Sequence, residues 1–354
     1  MPTTTEKSLV LIVGAGASKE VKLPVGAELK QQIARVLDIR YEHGHQRVSG
    51  DEVVNGAFRR LASLSDPPRA DINPYLHAAW RVRDAMPQAI SIDNFIDSHR
   101  SDEKIAMCGK LAIARCILTA ESSSSLHVDR RNIYNKINFS NVDQTWFNAF
   151  FQLLTENTQQ SDLSKRLSKV AIICFNYDRC IEHYLHLALQ NYYGMSPEDA
   201  TVTLSHLEIH HPYGTVGKLP WQDPQKGFEY GATPESQQLL TLAGELRTFT
   251  EGIDSRKSDI TAIRSTLASA KRLAFLGFAF HRLNIELLFP GLADGEKVRV
   301  CPVYATAHGI SSADSLEIKQ ELSNLAGIHH ERMYIRNDLL CSQLFREYWR
   351  SLSL

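Results

Sequence analysis

Leu9 to Val13 is a run of five apolar residues that ends on the turn Gly14-Ala15-Gly16-Ala17-Ser18. A strand that is apolar at every position, rather than at alternate ones, has both faces buried, as an inner strand of a parallel sheet does. The glycines permit a tight turn and a close backbone approach, and a helix starting there turns N–H groups toward a phosphate. After Pro24, the residues Val25, Leu29, Ile33, Val36 and Leu37 recur at helical spacing. The opening therefore reads as strand, glycine turn and amphipathic helix, a unit suited to binding a dinucleotide.

From about 40 to 161 the pattern changes. Turn-rich stretches, Ser65-Asp66-Pro67-Pro68 and Ser122 to Ser125, separate helical segments such as the aromatic-rich Trp146 to Leu154. Strand signals are scarce, which predicts a mostly helical insertion beside the sheet. Sheet-like sequence resumes at Val170 to Cys174, followed by Asn176-Tyr177-Asp178 and a helix with the apolar face Ile181, Tyr184, Leu185, Ala188 and Leu189. Further strands are predicted at Leu207 to His211, Arg272 to Leu276, Val298 to Tyr304 and Ile328 to Ile335, with helices between most of them. The alternation predicts a doubly wound α/β sheet in one domain, 1–354, with its core at 1–39 and 162–354.

Ligands bind such sheets beyond the carboxyl ends of the strands. Four loops that follow strands carry the polar residues of interest: Gly14 to Ser18, Asn176 to Asp178, His211 to Gly217 and Gly277 to Phe280. With 39 Lys and Arg against 40 Asp and Glu, the net charge of -1 supplies no field that would favour direct nucleic-acid binding. No apolar run approaches the roughly 18 residues of a membrane span, and no leader is evident, so no membrane partner and a cytoplasmic location are expected. The six cysteines form no C-x-x-C pair, and several lie in apolar runs, the setting of reduced core thiols. His43-Gly44-His45 and His329-His330 lack the spacing of a metal site, so no metal is expected.

Each of these features also has a plain structural reading. A G-x-G turn without a third glycine also occurs where a strand and helix simply pack together. Asn176 and Asp178 are natural helix caps. His210 and His211 end a strand, where hydrogen-bonded histidines are common. Asp93 and Asp97 share a helix face, with Asp93 read as a cap and Asp97 as solvated. Trp146, Phe147, Phe150 and Phe151 read as core or a subunit contact. No acidic residue closes a second strand about 20 residues after the turn, as a hydride-transfer enzyme would have.

Six motifs in order carry a family resemblance: GAGAS with LP shortly after it, SIDNF at Ser91 to Phe95, CFNYD at Cys174 to Asp178, HHPYGTVG at His210 to Gly217, FLGFAF at Phe275 to Phe280, and YATAHG at Tyr304 to Gly309. In these the chain resembles the sirtuin-like family, in particular the bacterial sirtuin-fold NAD hydrolases associated with anti-phage defence. The resemblance implies a Rossmann-like parallel sheet of the sirtuin type. It implies that Gly14, Ala15, Gly16 and Ser18 line the NAD phosphates, with Gly277 and Thr306 toward the ribose and adenine. Asn176 and a histidine would do the chemistry. In sirtuins that histidine directly precedes a glycine; here two residues intervene, so both His210 and His211 are candidates, with His211, nearer the loop, preferred. Asp178 would orient it.

The zinc module of sirtuin deacylases needs two C-x-x-C pairs, which this chain lacks, and the G-I-P-D-F-R stretch that follows their glycine turn is replaced by Leu23-Pro24-Val25-Gly26. The expectation is therefore an NAD hydrolase with NAD as substrate, releasing nicotinamide and ADP-ribose. A non-catalytic NAD or ADP-ribose sensor, or a scaffold subunit, is the alternative; protein deacylation or ADP-ribosyl transfer ranks below both. The resemblance also implies a homo-oligomer or a separately encoded partner, such as a HerA-type ATPase or a short Argonaute-like protein.

Overall fold

A computed structural model describes residues 6–64, 71–129, 131–249, 251, 260–291 and 301–354. Its strands are β1 (Leu9–Val13), β2 (Arg40–Glu42), β3 (Gln46–Ser49), β4 (Val170–Cys174), β5 (Glu208–His210), β6 (Leu273–Leu276), β7 (Val303–Thr306) and β8 (Met333–Arg336). Six of them form one parallel sheet in the order β5-β4-β1-β6-β7-β8. From β1 the chain steps outward through β4 to β5, then crosses back to β6 on the other side of β1 and steps outward to β8. This is the order of a doubly wound, Rossmann-like sheet, and the winding reverses between β1 and β6.

The first eleven α-helices among the described residues are α1 (Ala15–Ser18), α2 (Gly26–Leu37), α3 (Glu52–Ser63), α4 (Asn73–Ala85), α5 (Ile92–Ser98), α6 (Glu103–Ser123), α7 (Trp146–Thr155), α8 (Leu163–Leu167), α9 (Cys180–Tyr193), α10 (Pro197–Leu204) and α11 (Ser236–Gly244). Successive residues of a strand face opposite sides, and each side of β1 meets its own core. Val10 and Ile12 pack with Ile33 of α2, Phe58 of α3 and Leu111 of α6. Leu9, Leu11 and Val13 pack with Trp146 and Phe150 of α7, Tyr184 of α9 and Phe345. Full burial on both faces explains why the run at 9–13 shows no alternation. The four aromatic residues of α7 are all buried in the second core, and the Trp146 indole N–H donates to the Ala17 carbonyl at 3.0 Å.

The segment 40–161 is thus divided between the two faces of the sheet, α3 and α6 on one and α7 on the other. It also holds the hairpin β2–β3, which is short, polar and partly exposed, so it has no apolar period to betray it. His43 and Gly44, both at positive φ, make its turn, which the His45 N–H closes by donating to the Glu42 carbonyl at 3.2 Å. Several predicted strands are shorter than expected. His211 lies just past β5, a 3₁₀ turn (His330–Arg332) precedes β8, and β7 starts at Val303, while Val298 to Val300 and Ser65-Asp66-Pro67-Pro68 lie outside the described residues. All six cysteines are buried thiols. Among the described residues no helix is long and apolar enough to cross a membrane.

The glycines at the point of reversal pack backbone on backbone. A Cβ on Gly277 would lie 2.0 Å from the Ala17 nitrogen, and Gly277 itself has a φ of +55°. Gly277→Ala is therefore expected to lower stability by about 2–4 kcal/mol, through overpacking and backbone strain. Gly26, the first residue of α2, has open space around it; Gly26→Ala should change stability by less than about 1 kcal/mol, in the stabilising direction. Urea denaturation of both variants checks the pair, and equal effects would contradict the packing argument.

Candidate functional site

The loops after β1, β4, β5 and β6 meet at the carboxyl edge of the sheet. Gly14 donates its N–H to the Leu276 carbonyl at 2.9 Å, Gly16 donates to the Gly277 carbonyl at 2.9 Å, and Ala17 donates to the Gly14 carbonyl at 3.0 Å. The first two of these bonds tie the glycine turn to the end of β6. Three N–H groups of the turn are thus used within the protein. Among Gly14 to Ala17 only Ala15 has no such bond, and Ala15 is exposed at the tip.

Gly277 is held from below. Its N–H donates to the Thr306 hydroxyl oxygen at 2.8 Å, and Thr306 is only 2% exposed. Thr306 was expected on the adenine side of a ligand; it supports Gly277 instead, because it is the last, buried residue of β7.

Beneath the glycine turn lies a chain of polar side chains. Asn176 Nδ2 donates to the Gly14 carbonyl at 3.1 Å and to Ser18 Oγ at 2.9 Å, and the Ser18 hydroxyl donates to Asp178 Oδ2 at 2.8 Å. A carbonyl can only accept, so the Gly14 contact fixes which end of the Asn176 amide is nitrogen. The other end, Oδ1, is buried and has no hydrogen-bond partner. Buried polar atoms without partners are rare, and each costs about 1–3 kcal/mol. Ser18 therefore serves as a link under the turn, and its hydroxyl is already committed.

Asp178 also accepts the Cys180 N–H at 3.1 Å, at the start of α9, so the plain capping reading describes it well. Burial pushes its carboxyl up, against the pull of the Cys180 and Ser18 bonds. Asp178 is not bonded to either histidine, which corrects its expected orienting role. The carboxylate on His211 is Glu182, one turn further along α9. His211 Nε2 lies 2.7 Å from Glu182 Oε1, and Nδ1 lies 3.3 Å from the Asn176 backbone carbonyl. Glu182 gave no motif signal in the sequence.

The two adjacent histidines, one ending β5 and one in the loop after it, meet different carboxylates. His210 Nε2 lies 2.6 Å from Glu208, which also binds Lys7 at 2.8 Å and Thr266 at 2.5 Å. The His210 bond, helped by Lys7 and Thr266, brings the Glu208 carboxyl down to about 2. Of the two candidates only His211 meets Asn176.

The sequence matches no protein family model, and no curated protein matches it. The site is therefore read from its own geometry.

Two further features were invisible in the sequence. The Tyr177 hydroxyl donates to Asp93, while Ser91 caps α5 by accepting the Asn94 N–H at 3.1 Å. The SIDNF segment is thus tied to the loop that carries Asn176, and Asp93 is a partner of Tyr177 and not the cap. Arg179 forms a fully buried ion pair with Glu121 of α6 at 2.5 Å and donates to the Phe228 carbonyl at 2.6 Å. This locks the end of α6 onto the same loop. Losing one member would leave the other charge uncompensated in the core, at a cost of about 3–5 kcal/mol.

The Glu182–His211 pair makes a pH-dependent contribution to stability. Burial opposes charge on His211, but Glu182 and Cys174 beside it outweigh that and hold the ring well above its ordinary 6.5. Burial likewise opposes charge on Glu182, and His211 outweighs it, holding the carboxyl below its ordinary 4.5. The histidine's contribution is complete below 6.5 and is lost as pH rises through its folded value. The glutamate's is complete above 4.5 and is lost as pH falls through its folded value. The stability difference between the native chain and Glu182→Gln should therefore peak between about pH 4.5 and 6.5. Denaturant titrations from pH 4 to 9 check this, and a flat difference would contradict it.

Proposed function

We propose that this chain binds NAD at the β1/β6 reversal and hydrolyses it to nicotinamide and ADP-ribose. The observation that carries the reading is the Asn176 amide. Its nitrogen is anchored on Gly14 and Ser18, and its buried Oδ1 lacks a donor. A ribose hydroxyl, a carboxamide N–H or a bound water supplies such a donor, and NAD brings the first two. The ordered motifs from GAGAS to YATAHG support the choice of NAD over other dinucleotides.

In the reaction, the bond between ribose C1′ and the nicotinamide nitrogen breaks, and nicotinamide leaves as a neutral molecule with the electron pair. Water adds its oxygen to C1′ and gives up one proton to the solvent. The leaving group needs no protonation, so catalysis rests on orienting the sugar and stabilising an oxocarbenium-like centre. The Asn176 Oδ1 dipole, fixed in direction, suits both tasks. His211 contributes as an oriented, charged donor beside Asn176 and not as a free base, because both of its ring nitrogens face acceptors. A role in anti-phage defence, a homo-oligomeric form and dependence on a separate partner belong to the same proposal and rest on the motif resemblance.

One observation favours a second reading, a non-catalytic NAD or ADP-ribose binder. His211 is fully engaged, and the N–H groups of Gly14, Gly16 and Ala17 are bonded internally. Calorimetric titration with NAD, together with a nicotinamide-release assay, separates the two. Under the hydrolase reading, Asn176→Ala and His211→Ala each lose at least about 100-fold in turnover, the scale of losing an oriented dipole or donor. His210→Ala keeps turnover within about tenfold of the native chain, since His210 sits in the Lys7–Glu208 cluster away from the reacting groups. Binding without nicotinamide release would establish the sensor instead, and loss of turnover in His210→Ala but not in His211→Ala would overturn the site.

A further inference from the structure

We propose that Glu182 is a positioning residue that acts through His211: it holds the ring as a double donor, so that one N–H stays on the Asn176 backbone carbonyl and keeps the Asn176 side chain aimed at the ligand. The inference deepens the reading above and, for its effect on turnover, rests on it. Its structural part stands independently.

The geometry comes from three elements. Glu182 reaches down from the first turn of α9 and is 5% exposed. His211 enters from the loop after β5, with its side chain 13% exposed. The Asn176 carbonyl lies on the loop after β4. Both partners of the ring are acceptors, a carboxylate at 2.7 Å and a carbonyl at 3.3 Å. A neutral imidazole has one donor and one lone pair, so it can satisfy only one of them and sets a lone pair against the other. Only the imidazolium satisfies both. A buried imidazolium in turn needs a nearby negative charge, and Glu182 is the carboxylate in contact with it.

The other groups facing the pair do not take over that task. Cys174, on β4, approaches His211 and is itself pushed up by burial. Arg179 adds positive charge near Glu182, but its guanidinium is matched by Glu121. Asp178 is committed to Ser18 and Cys180. With Glu182 uncharged, His211 loses its reason to stay protonated. If the remaining proton stays on Nε2, toward residue 182, the Nδ1 lone pair then points at the Asn176 carbonyl. That repulsion displaces the loop on which Oδ1 is aimed.

The test uses the full chain, labelled with ¹³C/¹⁵N-histidine, with NMR titration of the His211 ring in the native protein and in Glu182→Gln. His211→Gln assigns the resonance. The expected result is a native His211 that titrates well above 6.5, the ordinary histidine value, and a Glu182→Gln ring that deprotonates at or below about pH 6.5. In parallel, NAD turnover by Glu182→Gln should match the native rate most closely near pH 5.5. It should then fall about tenfold per unit on the alkaline side of the lowered midpoint. A native His211 that titrates at or below 6.5, or a midpoint unmoved by Glu182→Gln, overturns the inference. If Glu182→Gln fails to fold, the native titration alone decides. If the ring behaves as expected while no form of the chain releases nicotinamide, the hydrolase reading falls and the positioning role of Glu182 stands.

Discussion

Gly16 donates its N–H to the carbonyl of Gly277, and the arrangement of the sheet edge follows from that contact. It joins β1 to β6 at the point where the sheet reverses its winding, the place where a doubly wound fold leaves a crevice for a ligand. The approach is so close that no side chain fits on Gly14, Gly16 or Gly277. With the turn pinned, the Gly14 carbonyl is presented to Asn176, Ser18 is presented to Asp178, and Thr306 supports Gly277 from below. The glycines thus hold the site together before they hold anything else. The packing reading of a G-x-G turn is the one these contacts show.

Around that contact the protein places an uneven set of polar groups. Most are satisfied: Ser18, Asp178, Thr306 and the Arg179–Glu121 pair have partners matched in charge and donor capacity. Asn176 Oδ1 and Glu182 Oε2 are not. His127 Nδ1 and Trp221 Nε1 elsewhere also lack partners, so what sets Asn176 Oδ1 apart is its place, after β4 and beside the glycine turn at the reversal. The loop carrying Asn176 is held from two more directions, by Tyr177 on Asp93 and by Arg179 on Glu121. Two different helices of the segment 40–161, α5 and α6, therefore brace the site.

Much of the fold was legible because burial on both faces leaves an unmistakable trace. The runs at 9–13 and 170–174 are apolar at every position and became the neighbouring inner strands β1 and β4. The amphipathic stripe from Val25 to Leu37 became α2. The hairpin β2–β3 left no trace, since a short, half-exposed pair of strands carries no period. The site was legible in part. Gly14, Asn176 and His211 do meet, because each follows a strand of one parallel sheet. Thr306 and Asp178 were placed correctly in the chain but face other partners, and side-chain direction within a loop is set by packing that spacing does not encode. Glu182 was missed, and Asp93 was read as a cap, for the same reason: their partners, His211 and Tyr177, are distant in sequence and brought near only by the fold.

The claim at the centre of this account is that the bare acceptor on Asn176 is the contact point for NAD. The most direct measurement is a crystal structure of the chain with a non-hydrolysable NAD analogue. The account predicts a ligand donor from the nicotinamide ribose or carboxamide within about 3 Å of Asn176 Oδ1, with the pyrophosphate beside Ala15. An analogue bound elsewhere, with Oδ1 still without a partner, would contradict it.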